Sequence, residues 1–523
     1  MMDVWVLVLV TFSVWESVGA ESCLNQVCNC TGSIAYCDNR GLTRVPESVG
    51  SAGGYIELYL QNNNITTIPQ ADLPSGLVLL DLRYNPLSNI SHLAFNKCAN
   101  TLSHLWIGPT SSENIPAAIG NLNKLRDLRL QDMYVTRWGT SVLRHVGATL
   151  TSLTLAHTIV PAWAEWLELF PLLTQLTTDS SPLGLVPDDV FHKNTATLRK
   201  VTLKAAGLNS VPPALAALGG LEELDLSENQ LRSSRDLAYE LIPHLHTLSS
   251  LSLSGNLLQD IPRISFLTNL SRLNLSRNGI YDVTAGLTGA HNSNSNPAMT
   301  SAHDSNSNPA MTSAHNSNSN PAMTSAHDSN SNPAMTSSHD SNSNPAVTSS
   351  HDSNSNPAVT SAHVANIALP QGSLSVLDLS HNNFRETPKV ILGLVRLRVL
   401  NLAHNLLTEV RGEQFPIGSG LEQLYLQGNP LTSLATDAFH RLQHLQLLDL
   451  SATKLTRLPL ALAQLSAVEI VDVRGVSPLV CTCVERALRP WALSLPHLVL
   501  LGHCGEIPLT YFFRVLAAQC PPS

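Results

Sequence analysis

A leucine motif recurs along most of the chain and limits what the chain can fold into. It reads L-x-x-L-x-L-x-x-N-x-L, as in LEELDLSENQL, which begins at Leu221, and in LRVLNLAHNLL, which begins at Leu397. One copy is too short to bury its own leucines, so the copies must stack on one another to form a shared core. Fifteen copies begin at Tyr55, Leu77, Leu102, Leu125, Leu150, Leu173, Leu198, Leu221, Leu248, Leu270, Leu374, Leu397, Leu421, Leu445 and Val468.

The motif predicts an α/β repeat solenoid. Its L-x-L part is a short strand whose leucines point inward and whose middle residue points outward. Strands of successive coils pair into one parallel sheet on the concave face of a horseshoe. The asparagine then turns inward and bonds backbone groups that the bend leaves unpaired. Eight coils have this ladder asparagine: Asn63, Asn85, Asn229, Asn256, Asn278, Asn382, Asn405 and Asn429.

Five consecutive coils lack the ladder asparagine. Serine and threonine replace part of its hydrogen bonding, whereas methionine and alanine cannot. Two interpretations follow: sequence drift in a tolerant solenoid, or a change of curvature between the third and seventh coils. The residues at the ladder position are Thr110, Met133, Thr158, Ser181 and Ala206.

The nine cysteines are concentrated at the two ends of the chain. Secreted chains use disulfides where a core is too small to hold a terminus, so this distribution favours disulfides over metal binding. Cys98 lies alone between the clusters and is predicted to be a buried thiol, with an intermolecular disulfide as the alternative. The clustered cysteines are Cys23, Cys28, Cys30 and Cys37 at the front, and Cys481, Cys483, Cys504 and Cys520 at the back.

The first twenty residues are typical of a secretory signal peptide. An apolar run extends from Val4 to Val14, and the small residues Val18, Gly19 and Ala20 form a cleavage site. The alternative, a membrane anchor, needs roughly 20 apolar residues, and the run has about eleven. No apolar run of that length follows, so we expect a secreted protein in the extracellular space, without membrane insertion of this chain.

Both cysteine clusters resemble the caps of extracellular leucine-rich repeat proteins, such as Toll-like receptor ectodomains, Slit-like proteins and small leucine-rich proteoglycans. Residues 23–46 match C-x4-C-x-C-x6-C followed by L-x-x-V-P, and residues 478–520 include a C-x-C opening. By this resemblance, central coils without the asparagine ladder are distorted and used for ligands in Toll-like receptors. The resemblance also implies the pairs Cys23–Cys30, Cys28–Cys37, Cys481–Cys504 and Cys483–Cys520.

The chain therefore divides into six predicted segments. They are a signal peptide (1–20), an N-terminal cysteine cap (21–54), ten leucine-rich coils (55–290), a twelve-residue tandem repeat insert (291–362), five further coils (363–477) and a C-terminal cysteine cap (478–523).

The insert consists of six near-copies of H-(N/D)-S-N-S-N-P-A-(M/V)-T-S-(A/S). Each copy has too little apolar surface to offset the entropy of ordering, so we expect one long disordered loop. Three functional alternatives are O-glycosylation of its Ser and Thr, metal collection by its spaced histidines, and self-association, which the proline in each copy opposes.

No catalytic motif is present, and we expect neither an enzyme nor a cofactor or metal site. The formal charge of −9 argues against nucleic acid as a partner. We therefore expect a binding protein with an extracellular protein or glycan ligand, and homodimerisation stays open. Acceptor sequences for N-glycans occur at Asn29, Asn64, Asn89, Asn269 and Asn274, and the last is at an outward strand position.

Aromatic and arginine side chains are concentrated at outward positions of the first four coils. These residue types anchor protein interfaces, so they form our candidate binding patch. Trp106 is expected to project outward with no structural role. Further along, the outward positions are small (Thr154, Thr177, Thr202, Ser252, Ser254) until Tyr425. The candidate patch consists of Tyr59, Arg83, Tyr84, His104, Trp106, Arg126 and Arg129.

The sequence thus predicts a secreted protein for extracellular recognition or adhesion, of the innate-immune or cell–cell type, acting through its concave face. Two alternatives stay open. One is a structural component of the extracellular matrix. The other is the ectodomain of a membrane receptor whose membrane segment is missing from this sequence.

Overall fold

The computed structural model of the protein describes residues 21–23, 27–46, 54–70, 72–136, 139–159, 163–182, 184–232, 245–281, 368–476 and 479–520. The predicted signal peptide and the tandem repeat insert lie outside these residues.

One sheet of nineteen strands extends through the described part of the chain. Strands β1 (Glu21–Cys23), β2 (Cys28–Thr31) and β3 (Ile34–Tyr36) are antiparallel and belong to the N-terminal cap. Strand β3 then pairs in parallel with β4 (Glu57–Tyr59), the strand of the first coil. The cap therefore closes the open end of the solenoid by extending its sheet.

Each of the fifteen predicted coils contributes one parallel strand, which confirms the repeat solenoid. The next strands are β5 (Thr67–Ile68), β6 (Leu79–Leu87), β7 (Asn89–Ile90), β8 (His104–Thr110), β9 (Asp127–Gln131), β10 (Ser152–Ala156), β11 (Gln175–Asp179), β12 (Lys200–Lys204), β13 (Glu223–Asp225), β14 (Ser250–Ser252), β15 (Arg272–Asn274), β16 (Val376–Asp378), β17 (Val399–Asn401), β18 (Gln423–Tyr425), β19 (Leu447–Asp449), β20 (Ile470–Asp472), β21 (Val499–Leu501), β22 (His503–Cys504) and β23 (Ile507–Pro508).

Three short strand pairings complete this topology. Strand β21 of the C-terminal cap adds to β20 at the end of the main sheet. Strands β5 and β7 pair in parallel with each other, and β22 and β23 form an antiparallel pair.

Short helices occupy the connections between strands. The α-helices are α1 (Thr140–Gly147), α2 (Ala164–Leu167), α3 (Arg489–Ser494) and α4 (Leu509–Arg514). Single 3₁₀ turns span Asn96–Cys98, Ala117–Asn121, Pro213–Ala217, Lys389–Gly393, Gly412–Gln414, Leu460–Gln464, Cys483–Leu488 and Leu516–Gln519.

The ladder asparagines bond successive coils as the motif predicts. Asn229 is 5% exposed and donates to the carbonyl oxygens of Leu203 (2.7 Å) and Leu226 (2.9 Å). Its own oxygen accepts from the N–H groups of Ala206 and Leu208, both at 3.0 Å. One side chain thus satisfies buried backbone groups of its own coil and of the preceding coil.

Hydroxyl groups replace part of the ladder where asparagine is absent. Ser181 accepts from the N–H of Thr158 at 2.9 Å, and the Thr158 hydroxyl donates to Leu130 at 3.1 Å. Strands β9 to β12 have five residues each, whereas β13 to β20 have three. Without the asparagine bend, strand pairing thus continues for two more residues. The associated curvature change remains a hypothesis.

Thr110 does not act as a ladder residue. Strand β8 continues through it, and its hydroxyl donates to the Ser112 carbonyl at 3.3 Å. A cis peptide bond joins Gly108 and Pro109 just before it. Gly108 has φ 129°, and a Cβ there would lie 1.8 Å from the Gln131 carbonyl oxygen, so only glycine fits this approach between coils.

Three of the four implied disulfides are present: Cys28–Cys37, Cys481–Cys504 and Cys483–Cys520. Cys30 is also disulfide-bonded, and the side chain of Cys23 lies outside the described residues. Cys98 is a free thiol with no exposed surface, and burial raises its pKa to about 12. The prediction of a buried thiol is confirmed, and a thiol so rarely ionised is a poor nucleophile.

The sheet continues directly across the position of the insert. Strand β15 pairs with β16, so that Leu273 lies opposite Leu377 and Asn274 opposite Asp378. Asn382 donates to Leu275 at 2.9 Å, a ladder bond across 107 residues of sequence. The coils on either side of the insert are therefore consecutive turns of one solenoid.

Deleting residues 291–362 should leave this solenoid intact. Loop-closure entropy changes slowly with length, so the deletion should alter the free energy of unfolding by only about 1 kcal/mol. Thermal unfolding of the deleted chain, compared with the full chain, measures the difference. A large fall in melting temperature, or loss of cooperative unfolding, would show that the insert is structural.

Candidate functional site

Outward side chains of successive strands align in rows across the sheet face. The register places Tyr59 opposite Asp81, Asp81 opposite Trp106, and Trp106 opposite Arg129. Thr154, Thr177 and Thr202 continue the same row along β10, β11 and β12. We call this line of residues the central row. Adjacent strands of such a sheet lie about 4.8 Å apart, so neighbours in the row are within contact distance.

Trp106 lies between two arginines of the adjoining strands. The Cζ atom of Arg83 is 4.8 Å from the centre of the indole ring, and that of Arg129 is 4.2 Å from it. These distances are typical of cation–π contacts. The expected neighbourhood of Trp106, Arg83 and Arg129 is therefore present.

Two carboxylates anchor these three side chains. Asp81 is fully buried and accepts from Nε and Nη2 of Arg83 at 3.0 and 2.7 Å. Asp127 is 7% exposed and accepts from Nε1 of Trp106 at 2.7 Å and from Nε of Arg129 at 3.2 Å. We call Asp81, Arg83, Trp106, Asp127 and Arg129 the Trp106 cluster.

The expectation that Trp106 has no structural role is wrong. Its indole is half-buried, donates a hydrogen bond to Asp127 and lies between two guanidinium groups. The hydrogen bonds between Asp81 and Arg83 raise the pKa of that guanidinium above its usual value, against the opposing effect of burial. The side chains of the Trp106 cluster are consequently held in one geometry in the absence of a partner.

Tyr59 extends this surface toward the N-terminal cap. Its ring stacks on Tyr36 with ring centres 5.3 Å apart, and its hydroxyl donates to Glu57 at 2.9 Å. Burial, followed by the bond to Glu57, raises the pKa of Tyr59 to about 12. The hydroxyl therefore stays protonated at physiological pH and keeps its donor.

Besides Arg83, which lies in the adjoining row opposite Gly108, three predicted patch residues lie outside the central row. Tyr84 lies within β6 in a left-handed conformation with φ 56°, at the point between Arg83 and Leu87 where the register with β8 shifts. Arg126 is exposed and immediately precedes β9. His104 begins β8, and its Nδ1 lies 2.7 Å from the Ser103 hydroxyl. Tyr84 therefore lies in β6 at its register shift, and Arg126 lies outside β9, so neither is paired in the rows across the sheet.

Asp81 and Asp127 were not among the predicted patch residues, because the prediction was based on aromatic and arginine side chains. A signal was available: Asp-x-Arg places both side chains on the same face of a strand. It occurs at Asp81-Leu-Arg83 and Asp127-Leu-Arg129, and both pairs form salt bridges. Asp472-Val-Arg474 forms a third at the other end of the sheet.

The described residues contain no group of three or more His, Cys, Asp or Glu side chains that could hold a metal ion. Among the same residues, no helix has the length and apolarity needed to cross a membrane.

Two family models match the chain under the description leucine-rich repeat, at residues 373–394 and 419–475. Lumican of Coturnix japonica is 32% identical over 242 residues, which cover 39% of this chain and 67% of lumican. The chain belongs to the leucine-rich repeat family. Human fibromodulin is 27% identical over 285 residues, which cover 48% of this chain and 71% of fibromodulin.

Other proteins match over shorter stretches. Adenylate cyclase of Schizosaccharomyces pombe is 39% identical over 88 residues, and human volume-regulated anion channel subunit LRRC8A is 35% identical over 96. The chain spans only 5% and 12% of these two proteins.

A solved leucine-rich repeat protein of Leptospira interrogans has the same fold. The TM-score is 0.52 at 19% sequence identity, and the alignment covers 93% of this chain and 94% of that one.

One predicted glycan site is buried. Asn274 is 6% exposed, and its side-chain oxygen accepts from the N–H of Ser276 at 2.9 Å. Asn29, Asn64, Asn89 and Asn269 are exposed. A glycan standing on the sheet face at Asn274 is therefore incompatible with this packing.

We expect peptide mass spectrometry of the protein from a secreting cell to find Asn274 unmodified and Asn64 and Asn89 modified. An attached glycan would have to displace the Asn274 side chain from its place between β14 and β16. A modified Asn274 in correctly folded material would contradict the packing described here.

Proposed function

We propose that this protein binds an extracellular protein partner through the Trp106 cluster, in recognition or adhesion. The supporting observation is that Trp106 is fixed between Arg83 and Arg129 by buried carboxylates. A side chain that is ordered before binding loses little conformational entropy in the complex. Tryptophan and arginine are also the residue types enriched at binding hot spots.

The cluster leaves binding surface available while its charges are balanced. The guanidinium groups of Arg83 and Arg129 retain 25% and 41% side-chain exposure, whereas their carboxylate partners are nearly covered. The surface offered to a partner is thus a flat indole edge with arginine N–H groups on both sides. Such a surface favours carbonyl and carboxylate acceptors beside an apolar group.

The test is substitution of Trp106 by leucine. Leucine removes the ring and both cation–π contacts but leaves the Arg129–Asp127 salt bridge in place. Replacing Arg129 as well would remove a second hydrogen-bond donor to the Asp127 carboxylate. Of the described side-chain donors, the Ser152 hydroxyl at 2.7 Å would remain. We expect Trp106→Leu to weaken a protein partner by at least about 2 kcal/mol, roughly thirtyfold. Partners come from a screen of extracellular proteins, with affinities measured by biolayer interferometry.

The matched control is Thr177→Ala with Thr202→Ala, in the same row of the sheet. This pair should change the affinity by less than about twofold, because small side chains contribute little to interfaces. Equal losses in the control and in Trp106→Leu, or binding that maps to the opposite side of the solenoid, would reject this site.

Secretion is part of the proposal and is supported by the disulfides of both caps, because such bonds persist in oxidising compartments. An innate-immune role and a cell–cell contact role are the two forms of recognition that we consider.

A structural matrix role is the second candidate, supported by the alignments with lumican and fibromodulin. Pull-down of collagen by the secreted protein would favour it, and loss of that pull-down in Trp106→Leu would place collagen on the same surface. The third candidate, a receptor ectodomain, would be favoured by a transcript that extends past Ser523 into a membrane segment.

A further inference from the structure

A groove of about 520 Å³ lies on the sheet face at β16, β17 and β18. It is separated from the Trp106 cluster by the eight strand spacings between β8 and β16, roughly 38 Å at 4.8 Å each. Its volume is within the range of small-ligand sites. The groove is therefore a second, independent feature of this face.

Strand register determines what lines the groove. Asp378, Asn401 and Tyr425 are neighbours in the central row, and Val376 and Val399 form a parallel apolar row beside them. On the other side of the central row, Ser380, Ala403 and Gln427 also line the groove. Ser380 and Ala403 are small and buried, so they leave the space between the larger side chains open.

Two histidines form one wall of the groove. The rings of His381 and His404 stack with their centres 4.3 Å apart and their planes 15° apart. Gly428 of the next coil has φ 71°, and a Cβ at that position would lie 2.4 Å from Nδ1 of His404. Because residue 428 has no Cβ, the His404 imidazole can pack against the coil that contains Gly428.

Charged groups of both signs line the groove. Burial raises the pKa of Asp378, while hydrogen bonds and Arg277 oppose that rise, and Arg272 also lines the groove. Burial, followed by the charges of His404 and Arg277, lowers the pKa of His381.

The Tyr425 hydroxyl stays uncharged at neutral pH. Burial, followed by the charge of Asp449, raises its pKa to about 12. The phenol ring of Tyr425 therefore offers the groove an uncharged aromatic surface in addition to the histidine rings.

One side-chain oxygen among the residues that line the groove has no hydrogen-bond donor among the described residues. Oε1 of Gln427 is buried, and no described residue donates a hydrogen bond to it. A buried acceptor without a donor is costly, so Gln427 gains when its side chain turns this oxygen into the groove toward a ligand that donates to it. The Tyr425 hydroxyl, in contrast, already donates to Gln423 at 3.1 Å.

We propose that this groove binds a neutral, hydroxyl-rich ligand of the class of an uncharged oligosaccharide. Hydroxyl groups both donate and accept, so they suit Gln427, Asn401 and the carboxylate of Asp378 together. The apolar face of a sugar ring packs on Tyr425 or on the histidine stack. A purely apolar side chain would leave Gln427 unpaired, and a charged ligand of either sign would meet a like charge, Asp378 or Arg272, in the groove.

The test is calorimetric titration of the full chain, at about pH 7.5, with uncharged tetrasaccharides of glucose, mannose, galactose and N-acetylglucosamine. Sulfated and sialylated oligosaccharides form the comparison arm. At least one uncharged sugar should bind, and Tyr425→Ala and Gln427→Leu should each weaken it at least tenfold. Trp106→Leu and Thr177→Ala are controls that should leave it unchanged, which separates this site from the proposed protein-binding surface.

The histidine stack gives a second readout. Protonation places positive charge on stacked rings where the charge of Arg277 already acts on His381, and Arg272 and Asp378 also line the groove. Affinity for the sugar should therefore fall at least fivefold between about pH 7.5 and pH 5, as the pH falls toward the lowered pKa of His381. His381→Phe with His404→Phe keeps both rings and should abolish this pH dependence.

Four outcomes would overturn the proposal. They are binding of none of the uncharged sugars, binding of charged sugars alone, sugar binding that Tyr425→Ala does not weaken, and occupation of the groove by a protein partner.

Discussion

Replacing Arg83 by alanine should destabilise the solenoid by about 3 kcal/mol or more, because it leaves a buried carboxylate without its ion partner. Asp81 has no exposed surface and accepts hydrogen bonds from both Nε and Nη2 of Arg83. In the variant it would retain the backbone N–H of residue 83, which donates at 3.0 Å. Urea unfolding followed by circular dichroism measures the loss.

A second substitution should reverse most of this loss. Asn401-Leu402-Ala403 occupies the equivalent positions of coil twelve, where the asparagine accepts from the Ala403 N–H at 3.0 Å. Asp81→Asn combined with Arg83→Ala reproduces that arrangement in coil two and removes the buried charge. The double variant should therefore be clearly more stable than Arg83→Ala alone.

Arg474→Ala provides a matched comparison. Its side chain is 66% exposed, compared with 25% for Arg83, so solvent already screens its pair with Asp472. We expect a smaller loss than at Arg83. Equal losses at the two sites, or no rescue by Asp81→Asn, would show that the buried charge at Asp81 is not the cause.

Asn229→Ala should cost about 3 kcal/mol or more, the second large effect. The side chain donates to Leu203 and Leu226 and accepts from Ala206 and Leu208, and all four partners are backbone groups. Alanine leaves these buried groups unpaired, at about 1–3 kcal/mol for each group that water cannot reach. Chemical denaturation of the purified variant measures the change.

Two variants control for the ladder bonds. Asn229→Thr should cost less than alanine, because Thr158 forms such bonds in its own coil. Asn383→Ala removes an exposed side chain that donates one bond of 3.3 Å to Gly279, and it should cost little. If Asn229→Ala is no worse than Asn383→Ala, the ladder does not stabilise this solenoid.

The periodic part of the fold could be predicted from the sequence alone. Every predicted coil start is followed by a strand, since spacing determines which leucines can reach a shared core. The ladder role of Asn229 follows from the same local geometry. The pairs Cys28–Cys37, Cys481–Cys504 and Cys483–Cys520 came instead from family resemblance, because four cysteines allow three pairings.

The surroundings of individual side chains depended on contacts between coils. Sequence showed that Trp106 points outward and that Arg83 and Arg129 lie beside it. It did not show that the indole donates to Asp127, 21 residues away, because that bond needs the register between β8 and β9.

The groove at β16, β17 and β18 shows the same division between what the sequence and the tertiary structure determine. His381 and His404 are 23 residues apart and unremarkable in sequence, and only the stacking of two coils brings their rings to 4.3 Å. Repeat spacing thus determined the backbone of this protein, because it depends on local chain geometry and leucine burial. Tertiary structure decided charge pairing, burial and cavities, because these depend on which side chains meet across neighbouring coils.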